Sequence, residues 1–152
     1  SICDRIKKPA SPGTLGILTN PEHALFKDFP TDFHTNWQWY PIIKNSYPLI
    51  LDNMPEEYRP IVQVIDNVER NHKLGLVFDL NVGGGKLLVC MADLETARNT
   101  PEGLQFYASL LEYMNSPEFK PAMSVSTESL KNLFVAGVQK EGIKVLDNIS
   151  YD

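Results

Sequence analysis

Between Pro30 and Pro41 the chain carries Phe33-His34-Thr35-Asn36-Trp37-Gln38-Trp39-Tyr40, which interleaves flat aromatic surfaces with hydrogen-bonding groups. Sugars are held by such mixtures, because their C–H faces stack on rings while their hydroxyls demand polar partners. His34, Asn36, Trp37 and Trp39 are therefore candidate carbohydrate-binding residues. The competing reading buries both tryptophans in the core with their N–H groups satisfied, and residue types alone lean that way. Exposure of the two rings separates the readings.

A second polar stretch, Asp66-Asn67-Val68-Glu69-Arg70-Asn71-His72, is dense in donors and acceptors. It adds Asp66, Asn67 and Arg70 as candidate sugar contacts, against the plainer reading of a solvated hairpin loop.

Catalytic constellations are weaker. Glycosidase chemistry uses two carboxyl groups that can be distant in sequence, and Asp66 with Glu69 or Asp93 with Glu95 could supply them. Both pairs sit in turn-rich segments, where Asp ordinarily caps or bonds nearby backbone. A nucleophile on a sharp elbow would need G-x-S-x-G or its cysteine counterpart, and neither occurs. His23, His34 and His72 lie far apart and none falls in an H-x-x-x-H spacing, so no resident metal or cofactor is expected. Gly83-Gly84-Gly85-Lys86 resembles a phosphate loop only superficially. Leu87 stands where Ser or Thr would hold Mg²⁺, and the flanks read as strands, so a hairpin turn is expected. Cys3 and Cys90 fit no metal or redox spacing, and Cys90 ends the apolar run Leu87-Leu88-Val89, where a buried, inert thiol is expected.

The elements that must position these residues belong to one domain. With 152 residues, 43% hydrophobic and 22% charged, a single core is expected and neither disulfides nor metal are needed for folding. A net charge of −5 with scattered Lys and Arg argues against nucleic acid and against an anionic membrane surface. No apolar run reaches the ~18 residues of a membrane-spanning helix. The opening Ser1-Ile2-Cys3-Asp4-Arg5 has no Met and no apolar leader, which suggests a segment of a longer polypeptide.

Residues 1–12 are expected to form an irregular arm. Thr14 to Leu18 reads as a short strand, and Pro21 to Phe29 as a short helix capped by Asn20. Tyr47 to Leu51, Ile61 to Ile65, Leu74 to Val82 and Lys86 to Cys90 read as strands. The last three are expected to be antiparallel neighbours, with Leu74, Leu76, Phe78 and Leu80 on one face. Thr100 as N-cap, Pro101 in the first turn and Glu102 at the positive end predict a helix ending at Asn115-Ser116-Pro117. A further helix is predicted from about Thr127 to Ala136. The fold class that follows is α/β: a mixed sheet with an antiparallel hairpin region and helices packed on it.

Several stretches resemble an accessory, non-barrel domain of family 2 glycoside hydrolases, the β-galactosidase-like enzymes of gut Bacteroides and relatives. They are Gly13-Thr14-Leu15-Gly16-Ile17-Leu18, the run Phe29 to Trp39, Arg59 to Asn67, Gly85 to Cys90, and Tyr107 to Met114. Together they cover most of residues 13 to 120, and Phe29 to Trp39 is the most specific. The region is also similar to the later part of a class I glutamine amidotransferase-like α/β unit, although that fold's catalytic Cys and His motifs have no match here. The resemblance implies a sugar-linked, secreted or periplasmic parent enzyme whose catalytic acid and nucleophile lie in a separate barrel. It assigns no catalytic residue to this chain. Two functions follow as expectations: a carbohydrate-binding module, or a scaffold packed on other domains of the parent polypeptide. A hydrolase using Asp66 or Asp93 is the third.

Overall fold

Lys73 to Val82 is apolar at every second position from Leu74, with Val77 as one further apolar residue, and it forms the strand around which the sheet is organised. The computed structural model describes residues 16–44, 46–66 and 71–141. Within them the strands are β1 (Ile17–Thr19), β2 (Leu49–Ile50), β3 (Val62–Ile65), β4 (Lys73–Val82), β5 (Gly85–Cys90) and β6 (Ser124–Val125). The helices are α1 (Tyr40–Ile43), α2 (Leu94–Ala97), α3 (Pro101–Asn115) and α4 (Thr127–Glu141), with 3-10 turns at Ala24–Phe26 and Trp37–Trp39. Strands β2, β3 and β5 pair antiparallel with β4, while β6 pairs parallel with it and β1 adds antiparallel to β3. The domain is thus a mixed six-stranded sheet with helices, an α/β fold.

The β4–β5 connection is the hairpin expected from the glycine run. Val82 pairs with Gly85, and Gly83 and Gly84 take φ of 56° and 83°. Two successive left-handed residues make the turn whose twist matches the flanking strands, which is why glycine occupies both positions.

One expectation about β4 is corrected. Leu74, Leu76, Phe78 and Leu80 do not share a face. Opposite the Val62–Gln63 step of β3, β4 advances two residues, from Val77 to Gly75, which makes a β-bulge at Leu76. An extra residue shifts a period-two pattern by one, so side chains beyond it change sides. Leu74, Leu76 and Val77 accordingly join one core cluster, and Phe78 and Leu80 join the other. The first cluster packs beneath α3 around Trp39, with Phe26, Phe29 and Phe106 placed around the indole at 6.1, 5.3 and 5.3 Å between ring centroids. The second cluster gathers Leu49, Leu51, Tyr58, Phe78, Leu80 and Leu133 under α4. The sheet is therefore covered on both faces by helices, which explains why the middle of β4 is buried throughout.

Local signals place α3 as read from sequence. The Thr100 hydroxyl accepts from the Gly103 N–H at 3.1 Å, Pro101 opens the helix, and the helix ends at Asn115. Gly103 is required by a close approach, since a Cβ there would collide with the Ala97 backbone. The stretch from Pro21 to Phe29 departs from expectation. It contains only the 3-10 turn Ala24–Phe26, because His23 is extended at φ −68° and ψ 138° and itself caps the turn. Asn20 instead folds its side chain onto the Glu22 N–H at 3.2 Å. Helix α4 begins at Thr127 as expected and continues to Glu141, and β2 is shorter than the run Tyr47 to Leu51. Gly13, Thr14, Leu15 and Cys3 lie outside the described residues.

Candidate functional site: an exposed tryptophan ledge

The segment from Phe33 to Tyr40 is held to the edge of the sheet by its backbone. His34 bridges to Leu18 of β1, the Thr35 hydroxyl accepts from the Ile17 N–H at 2.9 Å, and the Thr19 N–H donates to the Phe33 carbonyl at 3.2 Å. Asn36, extended at φ −129° and ψ 179°, then caps the 3-10 turn Trp37–Trp39 through its carbonyl, which accepts from the Trp39 N–H at 3.1 Å. That turn passes directly into α1, with Pro41 in its first turn.

A turn of this kind sends residues two apart in different directions. Trp39 points into the first core cluster and is 0% exposed, and its indole N–H donates to the Thr31 hydroxyl at 2.7 Å. Trp37 points outward and is 90% exposed. The two tryptophans that the sequence offered as a joint sugar platform therefore face different surroundings, and Trp39 is removed from the candidate site by burial. Trp37 stands at the edge of a shallow depression of about 370 Å³ lined by Thr35, Asn36, Trp37, Tyr40 and Ile43. The Asn36 side chain makes no cap bond, and its Oδ1 is buried without a hydrogen-bond partner. A buried amide oxygen without a donor is costly, on the order of 1–3 kcal/mol, and a ligand hydroxyl or an ordered water would satisfy it. Tyr40 is half exposed, with the Lys44 ammonium 5.6 Å from its ring centre. His34 is exposed beside the Phe33 ring, 5.2 Å away, and its Nδ1 donates to the Thr35 carbonyl at 3.0 Å.

The second set of candidate contacts is not gathered here. Asp66 does not line the depression; one of its oxygens accepts from the His72 N–H at 3.1 Å, closing the β3–β4 connection. Asn67 and Arg70, with Glu69, lie outside the described residues. His72, at the end of that connection, belongs to a pair that sequence reasoning missed. His72 Nδ1 sits 2.6 Å from one oxygen of Asp52, whose other oxygen accepts from the Lys73 N–H at 2.8 Å. Nothing in the sequence joins positions twenty apart, so this pair emerges only from the β2–β4 pairing.

Two of the acids weighed for catalysis, Asp66 and Asp93, are engaged in local hydrogen bonds. Asp93 caps α2, accepting from the Thr96 N–H at 3.1 Å and the Thr96 hydroxyl at 2.7 Å, and those bonds lower its pKa. An acid held below its usual range is poorly suited to donate a proton. Cys90 carries a half-buried free thiol whose pKa is pushed up to about 11 by burial, which keeps it protonated at neutral pH. Among the described residues no group of three or more His, Cys, Asp or Glu side chains is placed to hold a metal ion. Nor, among them, is any helix long and apolar enough to cross a membrane.

A family model, Domain of unknown function (DUF8487), matches residues 3–135, and the chain belongs to that family. No curated protein matches the chain.

Proposed function

We propose that this chain is a non-catalytic accessory domain that binds carbohydrate within a larger, β-galactosidase-like glycoside hydrolase. The observation that carries the binding reading is Trp37, a ring 90% exposed at the rim of a shallow depression. Leaving so large an apolar surface in water forgoes burial worth about 25 cal/mol per Å², and a sugar face would recover part of it. The unpartnered Asn36 Oδ1 beside it suits a sugar hydroxyl, and Tyr40 adds a second ring. The link to a glycoside hydrolase rests on the sequence resemblance, strongest over Phe29 to Trp39.

A second reading has its own support. Leu18, Phe33 and Tyr40 are also exposed, and so broad an apolar exposure suits packing against a neighbouring domain of the parent polypeptide. In that case Trp37 is an interdomain anchor.

Titration with a panel of galactosides and plant or host oligosaccharides, followed by tryptophan fluorescence and amide shifts, tests the first reading. Saturable shifts at residues 35–40, lost in Trp37→Ala, support it. No response at millimolar sugar sinks autonomous carbohydrate binding and leaves the interdomain anchor.

A further inference from the structure

A second concavity lies between the 3-10 turn Ala24–Phe26 and the C-terminal half of α3. It encloses about 510 Å³, within the range of small-molecule sites. Two features of its lining stand out. Its side chains include four carboxylates, Glu22, Asp28, Glu112 and Glu118, all exposed, against the single ammonium of Lys27. The buried lining also includes Ser109, only 2% exposed, whose hydroxyl has no hydrogen-bond partner. A helical serine ordinarily bonds the preceding turn or reaches water, so a buried, unpartnered hydroxyl in a cavity lining marks a group that lacks its complement.

The wall of the cavity supplies a third element. The half-buried His23 ring, backed edge to face at 5.2 Å by the buried Tyr113 ring, gives the wall its apolar part. His23 adds no positive charge while its Nδ1 accepts from the Leu25 N–H at 3.2 Å, because a nitrogen that accepts carries no proton. Burial lowers the pKa of His23 and favours that neutral state. A ligand suited to this lining brings positive charge to the carboxylate rim, a hydrogen bond to Ser109, and a short methylene chain for the aromatic wall. We infer that the cavity between the Ala24–Phe26 turn and α3 binds an aliphatic ammonium group, supplied by a free polyamine or by the lysine side chain of a peptide. This site is separate from the Trp37 ledge and does not depend on the carbohydrate reading.

The test is a calorimetric and amide-shift titration of the full chain at low salt with three probes: spermidine, a lysine-containing hexapeptide with blocked ends, and butanediol as a neutral control. Saturable binding of either amine is expected, with shifts at residues 22–28 and 109–118, and none with butanediol. Spermidine alone binding assigns a free amine, and the peptide alone assigns a lysine side chain. Glu112→Gln is expected to weaken binding by about two- to fivefold at low salt, as for loss of one exposed charged partner. Ser109→Ala removes a hydroxyl that bonds nothing in the protein, so it keeps the fold while weakening the amine at least about threefold. Failure of both amines to saturate at millimolar concentration overturns the inference. So does equal binding by butanediol, or unchanged affinity in both variants.

Discussion

The Tyr113 hydroxyl donates to Asp79 Oδ2 at 2.9 Å, tying the last turns of α3 to the outer half of β4. The carbonyl of the same Asp79 accepts from the Tyr58 hydroxyl at 3.0 Å, so one strand position is bonded by tyrosines from two distant segments. Both phenols have pKa values raised above the usual range, chiefly by burial, and both remain protonated donors at neutral pH.

Removing that donor leaves a partly buried carboxylate without one of its partners. Tyr113→Phe is expected to cost about 1–3 kcal/mol, because the ring packing against His23 and Phe119 survives while the charged hydrogen bond is lost. Urea midpoints of the two proteins measure the difference. A midpoint unchanged in the variant would mean that Asp79 is fully solvated.

Protonation of His23 works against folding. Burial lowers its pKa despite the opposing charge of Asp79, so the unfolded chain takes up a proton first as pH falls. The stability contributed by neutral His23 is full above its unfolded value of about 6.5 and is lost as pH drops from there towards the folded value. His23→Asn keeps an acceptor for the Leu25 N–H and does not titrate. Stability measured from pH 8 to pH 5 is expected to fall less steeply in the variant. Parallel curves would assign the slope to other groups.

Gly103 sits where α3 crosses the end of α2. A methyl group there meets the Ala97 carbonyl, which is backbone and cannot rotate away. Gly103→Ala is therefore expected to destabilise by about 1–3 kcal/mol, although alanine is the better helix former by about 1 kcal/mol. Thermal unfolding decides the sign, and a stabilised variant would show that the helix can shift.

The two tryptophans give a paired test. Trp39→Ala opens a cavity among Phe26, Phe29 and Phe106 and is expected to cost about 3–5 kcal/mol. Trp37→Ala is expected to change stability by no more than about 0.5 kcal/mol, since its ring is almost wholly in water. Comparable losses in both would place Trp37 in packing contacts and remove the ledge.

Features set by near neighbours in the chain were legible from sequence. Thr100, Pro101 and Glu102 announced the start of α3, and Gly83-Gly84 announced the β4–β5 turn, because a cap bond or a positive φ is decided within a few residues. The aromatic stretch was legible as a candidate site, but not the division of labour within it. Trp37 and Trp39 are the same residue type two positions apart, and only the 3-10 turn, fixed by Asn36 and by the bonds to β1, sends one outward and the other into the core. The two faces of β4 were misassigned for a comparable reason, since the bulge at Leu76 is created by pairing with β3 and leaves no local mark. Asp79 with Tyr113, and His72 with Asp52, are joined across 34 and 20 positions by strand pairing and helix docking. Local stereochemistry settled the α3 cap and the β4–β5 turn, whereas burial and long-range hydrogen bonding, which depend on what packs opposite, were settled only by the folded chain.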